Sequence, residues 1–373
     1  MVNIYQRAAR PILFRFDPER IHNGSIAIGG LVGQGGFLSA AVRALYCFDD
    51  DRLRQQIAGI TFDNPIGLAA GFDKNAKAVH GLEALGFGAI EVGSVSAQPS
   101  EGNLERPRLF RLTDDDAIVV YYGVPNDGAE KVSQRLKESR LRGPLGVNLV
   151  ETNTGKRVSA EEVIVELFGS AKMFVGIADY LSLNLNCPNT TGGNSPFEDA
   201  ERIRGLLCCL KDIEDIPPTF VKLTATDDPQ RRDSVLEAID EFSFVKGIIF
   251  NLPSGKPYEN LKTPVSRLAS MPGTLCGRPV AEFVNQSIRA WYPHIDQRRH
   301  IIIGSGGIFS AEDAYEKIQL GASLLQVYTA LVFRGPSIVK RINKGLCGLL
   351  RRDGFNHLSE AIGTKQDSIP AAV

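Results

Sequence analysis

The chain alternates between short apolar runs and segments whose apolar residues recur at helical spacing. Eight of the apolar runs carry few charges, which is typical of strands that are buried on both faces of a parallel sheet. Eight β–α units over roughly 280 residues predict an α/β fold, the (β/α)8 TIM barrel. The alternative is an open, doubly wound sheet, but no GxGxxG or P-loop motif follows the first run. The runs lie at 64–71, 89–95, 145–150, 180–187, 219–225, 247–252, 300–308 and 323–331.

Segments between these runs carry start and stop signals for helices. Ser159 precedes AEEVIVELFGSAKM, which has glutamates in its first turn, so we expect Ser159 to be an N-cap. Ser310 and Asp313 have nearly the spacing of a capping box, and Gly321 follows as a C-terminal stop. These signals predict helices that connect successive strands.

Residues 1–45 have a different pattern from the rest of the chain. Ile, Leu, Phe, Val and Arg recur there at roughly helical spacing with few acidic residues. We interpret 1–45 as a small N-terminal helical arm and 46–373 as the barrel domain. The arm would either lie on a membrane surface through its apolar face or pack against the barrel, and the pattern leaves both open.

Composition narrows the class of protein. The 373 residues are 43% hydrophobic and 23% charged with a net charge of −1, so a sizeable core is expected and a basic nucleic-acid-binding face is not. The six cysteines lack paired CxxC spacing and secreted-domain density, which favours reduced thiols in a cytosolic setting. We find no secretory signal, no apolar stretch of about 18 residues and no histidine spacing for a metal site.

The residues at the predicted strand ends indicate chemistry, because barrel active sites form at the C-terminal ends of the strands. GSGG lies at the end of the seventh run and YT near the end of the eighth, at the position where barrels bind phosphate with backbone N–H groups. Lys74 and Lys222 would add positive charge beside a ring that becomes anionic on reduction, and the amides of Asn148 and Asn184 both donate and accept. The pattern favours a planar cofactor that carries a phosphate.

Several motifs resemble the dihydroorotate dehydrogenases, specifically the class 2, quinone-dependent branch. They are FDNPIGLAAGFDKNAKAV, GFGAIEVGSVSAQPSEGN, LGVNL, NCPNT, IIIGSGGI and AEDAYEKIQLGASLLQVYTALVFRGP, and FDPERIH in the arm also matches. The resemblance covers almost the whole chain. It implies an FMN flavoprotein of pyrimidine biosynthesis, an oxidoreductase acting on CH–CH groups that oxidises dihydroorotate to orotate and reduces a quinone. It also implies a peripheral membrane protein that the arm holds on the cytoplasmic face of the inner or plasma membrane.

Matching positions carry the family's site residues onto this chain. His22 by itself would more often be a surface or core histidine, but in this context it matches the quinone tunnel. The quinone positions are His22, Arg111 and Tyr328, and the substrate positions are Lys74, Asn184, Asn189, Thr190 and Asn251. The FMN positions are Ala69, Ala70, Gly71, Ser94, Asn148, Asn184, Lys222, Gly277, Gly306, Gly307, Tyr328 and Thr329.

Cys187 matches the family's catalytic base, which would take a proton from the substrate carbon. Class 2 enzymes usually have Ser at this position, whereas Cys is typical of the soluble class 1 enzymes. A free thiol has a pKa of about 8.5 and ionises near neutral pH more readily than a hydroxyl group. The alternative is a buried Cys that serves only as a small hydrophobic residue.

Two departures concern the substrate. Val120 and Tyr121 stand where the family has Asn-Arg, and Phe250, Asn251 and Leu252 stand where it has Thr-Asn-Thr, while GVPN resembles class 1. The lost hydrogen-bonding groups would leave polar atoms of the substrate unpaired. Three interpretations remain: oxidation of dihydroorotate with a quinone, desaturation of another small ring or acyl compound by the same kind of enzyme, and a catalytically inactive barrel that acts as a binding protein.

Overall fold

The computed structural model describes residues 4–156, 158–186, 197, 199–253, 256 and 261–366. The chain begins with a π-helical turn at Tyr5–Ala9, followed by the arm helices α1 (Arg10–Leu13), α2 (Pro18–Gln34) and α3 (Gly36–Tyr46). Asp17 caps α2 by accepting a hydrogen bond from the backbone N–H of Arg20. The N-terminal helices predicted from the apolar spacing are therefore present.

The remaining elements follow the β–α alternation predicted from the sequence. The described strands are β1 (Gln55–Ile57), β2 (Ile60–Phe62), β3 (Ile66–Leu68), β4 (Ala89–Val95), β5 (Leu109–Leu112), β6 (Ala117–Val120), β7 (Leu145–Leu149), β8 (Tyr180–Asn184), β9 (Thr219–Thr224), β10 (Val245–Asn251), β11 (Thr274–Gly277), β12 (Ile301–Ser305) and β13 (Ala322–Val327). The helices after the arm are α4 (Val79–Glu83), α5 (Ala129–Lys137), α6 (Ala160–Met173), α7 (Ala200–Leu210), α8 (Pro229–Asp240), α9 (Val265–Ala269), α10 (Ala281–Trp291), α11 (Ala311–Gln319), α12 (Thr329–Arg334) and α13 (Ile338–Arg352).

The eight predicted apolar runs each contain one strand of a closed parallel barrel, in the order β3-β4-β7-β8-β9-β10-β12-β13. The (β/α)8 prediction is confirmed. The last strand is shorter than predicted: β13 ends at Val327 and α12 begins at Thr329, because the chain turns into a helix there. Ser159 and Glu162 form a full capping box at α6, and Ser310 caps α11 by accepting from the N–H of Asp313.

Two small sheets lie outside the barrel. Strands β1 and β2 form an antiparallel hairpin, and β5, β6 and β11 form an antiparallel three-stranded sheet. We predicted neither. Strand β11 pairs with β6 although more than 150 residues separate them in the chain.

The barrel interior is layered. Apolar side chains fill its N-terminal half, in a cluster of Phe62, Ala89, Tyr180, Phe220, Ile249, Ile303 and Leu324. Because side chains alternate along a strand, the residues two positions further along also face inward. On four strands these are the buried polar residues Glu91, Ser182, Lys222 and Gln326. A polar layer therefore lies between the apolar plug and the C-terminal mouth.

The arm packs against the barrel through α2 and α4. A Cβ atom on Gly81 would overlap the carbonyl oxygen of Gly29, and a Cβ on Gly29 would lie 2.9 Å from the Cβ of Ala78. The outer side of the arm is apolar: Ile28, Leu31 and Phe37 are 63%, 65% and 90% exposed. Among the described residues no single helix is long and apolar enough to span a membrane. Helices α2 and α3 together have the required length and composition, but the chain bends by 110° between them.

Candidate active site

A cavity of about 1040 Å³, including its open mouth, lies at the C-terminal ends of the barrel strands. The predicted cofactor residues line it with one exception, Asn148, which belongs to the polar layer. The lining includes Ala69, Ala70, Gly71, Ser94, Asn184, Lys222, Gly277, Gly306, Gly307, Tyr328 and Thr329.

Glycines form one wall of the cavity because the backbone leaves no room for side chains. Gly306 and Gly307 follow β12 with φ of 89° and 74°, and a Cβ on Gly307 would overlap Ala281. Gly277 has φ of 108°, and a Cβ there would lie 2.5 Å from the carbonyl oxygen of Asp116. Thr329 begins α12 at the same wall. The GSGG and YT segments predicted to bind phosphate are thus brought together.

Two lysines line the cavity, Lys74 from the loop after β3 and Lys222 from β9. Lys74 donates a hydrogen bond of 2.7 Å to the carbonyl oxygen of Gly71, and its ammonium group lies 4.3 Å from the centre of the Tyr122 ring. Burial lowers the pKa of Lys74 to about 8, so its charge is lost in mildly alkaline conditions. Lys222 lines the cavity, and its ammonium group lies 3.9 Å from the carboxylate of Glu91, which is buried beneath the cavity.

The floor contains buried amides with unused acceptors. Asn148 donates to Ser182 Oγ at 2.6 Å and to Glu91 at 3.3 Å, and Gln326 donates to Glu91 at 2.7 Å. In the described part of the chain the buried Oδ1 of Asn148 and Oε1 of Gln326 have no hydrogen-bond partner. An unpaired buried carbonyl costs about 1–3 kcal/mol. Gln326 lines the cavity, so its unpaired oxygen favours a ligand that donates a hydrogen bond.

The cavity also has apolar lining residues. Val120, Val124 and Leu252 line the cavity, so the two substitutions predicted to affect the substrate pocket do lie in it. Cys276 also lines it, and burial raises the pKa of its thiol to about 11. The Cys276 thiol is therefore neutral and accepts a hydrogen bond from Thr329 Oγ1 at 3.5 Å.

Some predicted residues cannot be placed. Cys187, Asn189 and Thr190 lie outside the described residues. Asn251 is the last residue of β10, pairing in register with Thr224, but its side chain is not among those described. The remaining substrate residue, Asn184, donates a hydrogen bond of 3.2 Å to Ser94 Oγ at the cavity wall.

A second cavity of about 1360 Å³, including its open mouth, lies between the arm and the barrel. His22 lines it, and Lys74 and Tyr122 line both cavities. The His22 ring lies 5.2 Å from the Phe72 ring, which in turn lies 5.4 Å from the ring of Tyr328. A row of rings thus connects the arm to the first cavity. Burial, reinforced by Lys74, lowers the pKa of His22 to about 3, so this histidine is neutral.

Arg111 is placed differently from the other two residues predicted for the quinone. It lies on β5, with its guanidinium group 4.4 Å from the centre of the Phe14 ring, and it donates to the carbonyl oxygens of Leu13 and Phe16. Within the described chain it lines neither of these two cavities. Arg111 therefore holds the start of the arm, whereas His22 and Tyr328 are joined through Phe72.

Sequence reasoning missed Glu91 and Gln326. Both are buried polar residues in otherwise apolar parallel strands, AIEVGSV and ASLLQV. A polar residue at such a position is an available signal, because it must find partners inside the barrel. Their hydrogen-bonding partners lie on other strands, so the sequence around each residue could not predict them.

Comparison with known proteins agrees with this architecture. The profile of the dihydroorotate dehydrogenase family matches residues 52–350. A protein of Roseiflexus sp. strain RS-1 named "Dihydroorotate dehydrogenase (quinone)" is 37% identical over 358 residues, covering 95% of this chain and 96% of that protein. One of the same name from Halobacterium salinarum is 38% identical over 356 residues, covering 94% and 97%.

A solved structure is also similar. The dihydroorotate dehydrogenase of Eimeria tenella in complex with ferulenol superposes with a TM-score of 0.78 and 27% identity, covering 95% of this chain and 96% of that one. The two relatives and the solved structure each match at least 94% of the chain, so these matches extend into the N-terminal arm, whereas the family profile begins at residue 52. The chain belongs to the dihydroorotate dehydrogenase family, in its class 2, quinone-dependent branch.

Proposed function

We propose that this protein oxidises dihydroorotate to orotate with FMN and transfers the electrons to a quinone, as a step of pyrimidine biosynthesis. One observation carries the proposal: a cavity at the barrel mouth is lined by nearly all the residues that match the family's FMN positions. Relatives named for the quinone-dependent reaction support it over almost the full length of the chain.

The residues present fit FMN. Gly306, Gly307 and the start of α12 offer backbone N–H groups to a phosphate, and the unpaired oxygen of Gln326 offers an acceptor to a ring imide. Lys222 supplies positive charge at the cavity floor. When bound, FMN supplies the hydride acceptor for the substrate and the electron donor for the quinone.

Lys74 and Cys187 are the residues we assign to the substrate. The ammonium group of Lys74 sits in the cavity where it would pair with the carboxylate of dihydroorotate. Cys187, three residues beyond Asn184, would take the proton from the substrate carbon, and Asn189, Thr190 and Asn251 would hold the ring. These assignments rest on matching positions in the family.

The arm would deliver the quinone from a membrane surface. Its exposed face carries Ile28, Leu31, Phe37 and Leu45, which together make an apolar surface that a bilayer would cover. The rings of His22, Phe72 and Tyr328 then lead from the arm toward the cavity. We place the protein peripherally, on the cytoplasmic face of the inner or plasma membrane.

An anaerobic titration tests the proposal. The purified protein should be yellow, and dihydroorotate should bleach its flavin absorbance; the bleached protein should then recover its colour on addition of a long-chain quinone. Removing residues 1–45 should spare the bleaching but abolish recovery with the quinone. A colourless protein that takes up no FMN would instead favour a barrel that only binds a partner.

A second candidate is desaturation of another small ring or acyl compound, and the apolar wall favours it. Val120 and Leu252 line the cavity where the family has Asn and Thr, whose side chains can form hydrogen bonds. If dihydroorotate is the substrate, Val120→Asn should improve its affinity by roughly tenfold, the effect of pairing one buried polar atom. Val120→Ile is the matched apolar control. A flavin that dihydroorotate leaves oxidised in both variants but that a less polar enoate precursor bleaches would favour the second candidate.

A further inference from the structure

Glu91 is a buried carboxylate at the centre of the barrel. It lies in the middle of β4 and is fully buried. Three hydrogen-bond donors and one ammonium group, from four different strands, surround it: Asn148 Nδ2 at 3.3 Å, Tyr180 OH at 3.3 Å, Gln326 Nε2 at 2.7 Å and, as an ion pair, Lys222 Nζ at 3.9 Å. A buried carboxylate survives folding only when donors and a counter-charge satisfy it, and here both are present.

The chemistry of Glu91 sets the direction of two amide groups. An ionised carboxylate only accepts hydrogen bonds, so Asn148 and Gln326 must turn their NH2 groups toward it. Their carbonyl oxygens are then directed away from Glu91, and both are among the buried side-chain acceptors that have no hydrogen-bond partner in the described chain. Gln326 lines the cavity, so its oriented amide is within reach of a ligand.

Glu91 also controls the charge next to the cavity. Lys222 is 7% exposed and lines the cavity, and within the described residues Glu91 is the acid recorded in an ion pair with it. A negative charge 3.9 Å below this ammonium group offsets part of its attraction for a ring that becomes anionic. Burial, and then the charge of Glu91, raises the pKa of Tyr180 well above 10.0, so Tyr180 acts purely as a neutral donor to the carboxylate.

We propose that Glu91 is a positioning residue for the flavin site: it orients the amides of Asn148 and Gln326 and moderates the charge of Lys222. This inference rests on the proposed FMN site. It assigns Glu91 two separable effects, one on FMN affinity through the amides and one on the reduction potential through its charge.

The test compares isosteric and charge-keeping variants. In Glu91→Gln, the new amide competes for the orientation of Asn148 and Gln326 and removes the negative charge. FMN should dissociate roughly tenfold more readily or worse, as expected for a lost charge-assisted hydrogen bond, and the midpoint potential of the bound FMN should become more positive. Glu91→Asp keeps the charge, so its potential should stay near that of the wild type.

Two further variants separate this role from simple packing. Tyr180→Phe removes an uncharged donor outside the cavity, so it should lower the stability to urea and leave the potential unchanged. Gln326→Leu should weaken FMN binding while Glu91 remains intact, which keeps the test available if Glu91→Gln does not fold. An FMN affinity of Gln326→Leu equal to the wild type, or a Glu91→Gln potential that is unchanged or more negative, overturns the proposal. Failure of the wild type to bind FMN would overturn the proposed function itself.

Discussion

Glu19 in the first turn of α2 forms an ion pair with Arg108 of the barrel, and their side chains are only 13% and 5% exposed. Arg106 also pairs with Glu19, and Arg108 donates to the carbonyl oxygens of Glu101 and Asn103. The pair joins the arm to the loop before β5, at the edge of the second cavity. The arm is thus fixed electrostatically as well as by the close approach of α2 and α4.

We expect Glu19→Ala to lower the free energy of unfolding by about 2–3 kcal/mol, because it leaves Arg108 buried without its acid while the two backbone acceptors remain. Burial alone would raise the pKa of Glu19, but hydrogen bonds from Arg108 and Arg106 outweigh it and hold the pKa below 4.5. The ion pair therefore stabilises the folded protein fully above pH 4.5, and this stabilisation is lost as the pH falls through the folded-state pKa of Glu19. Urea unfolding of the wild type and Glu19→Ala, from above pH 4.5 downward, measures this difference in the free energy of unfolding. Glu105→Ala, an exposed acid in the same loop, is the control, and an equal loss in both variants would contradict the prediction.

His22 should make the protein less stable in mild acid. The pKa of His22 is about 3 when folded and 6.5 ordinarily, so below pH 6.5 the unfolded chain binds more protons and stability falls. Between pH 8 and pH 5 the wild type should lose about 2 kcal/mol relative to His22→Phe, at 1.36 kcal/mol per unit of pKa. The same substitution at exposed His294 should leave the slope unchanged. Parallel pH profiles for wild type and His22→Phe would show that His22 is not buried as neutral imidazole.

Lys74 should make substrate binding weaken in alkali. Burial lowers the pKa of Lys74 to about 8, so its charge is present below that pH and lost above it. The KM for dihydroorotate should be flat below pH 8 and rise about tenfold per unit above it, because the carboxylate then lacks its partner. Lys74→Arg should bind dihydroorotate more weakly, but its KM should not change with pH, because a guanidinium group stays protonated. Lys77→Met, at a half-exposed neighbouring residue, should retain the wild-type dependence of KM on pH. If KM also rose with pH in Lys74→Arg, the titrating group would be a residue other than Lys74.

Cys187→Ala should retain FMN and slow flavin reduction by about 10²-fold or more, the usual scale for loss of a general base. Cys187→Ser should keep more activity, chiefly at higher pH, because a hydroxyl ionises less readily than a thiol. Stopped-flow reduction with dihydroorotate measures both. Cys276→Ala, at the neutral thiol in the cavity wall, is the cysteine control. If Cys187→Ala reduced its flavin at the wild-type rate, the thiol would be only a packing residue.

Much of the fold was predictable because the signals were local. A strand buried on both faces must be apolar along its length, so all eight barrel strands stood out, and the capping serines of α6 and α11 act within four residues. The strand ends then identified the cavity wall, since parallel strands bring their C-terminal ends to one mouth. Residues such as Gly306, Gly307 and Lys222 were found in this way.

Other features were decided only when distant segments met. The β6–β11 pairing, the contact of Arg111 with Phe14 and the four polar groups around Glu91 each join residues that are far apart in the chain, so no local window contains both partners. The sequence by itself determined which residues are apolar, capped or able to ionise. The tertiary structure decided which of them are buried together. Burial lowers the pKa values of Lys74 and His22, and it leaves the side-chain oxygens of Asn148 and Gln326 without a hydrogen-bond donor in the described chain.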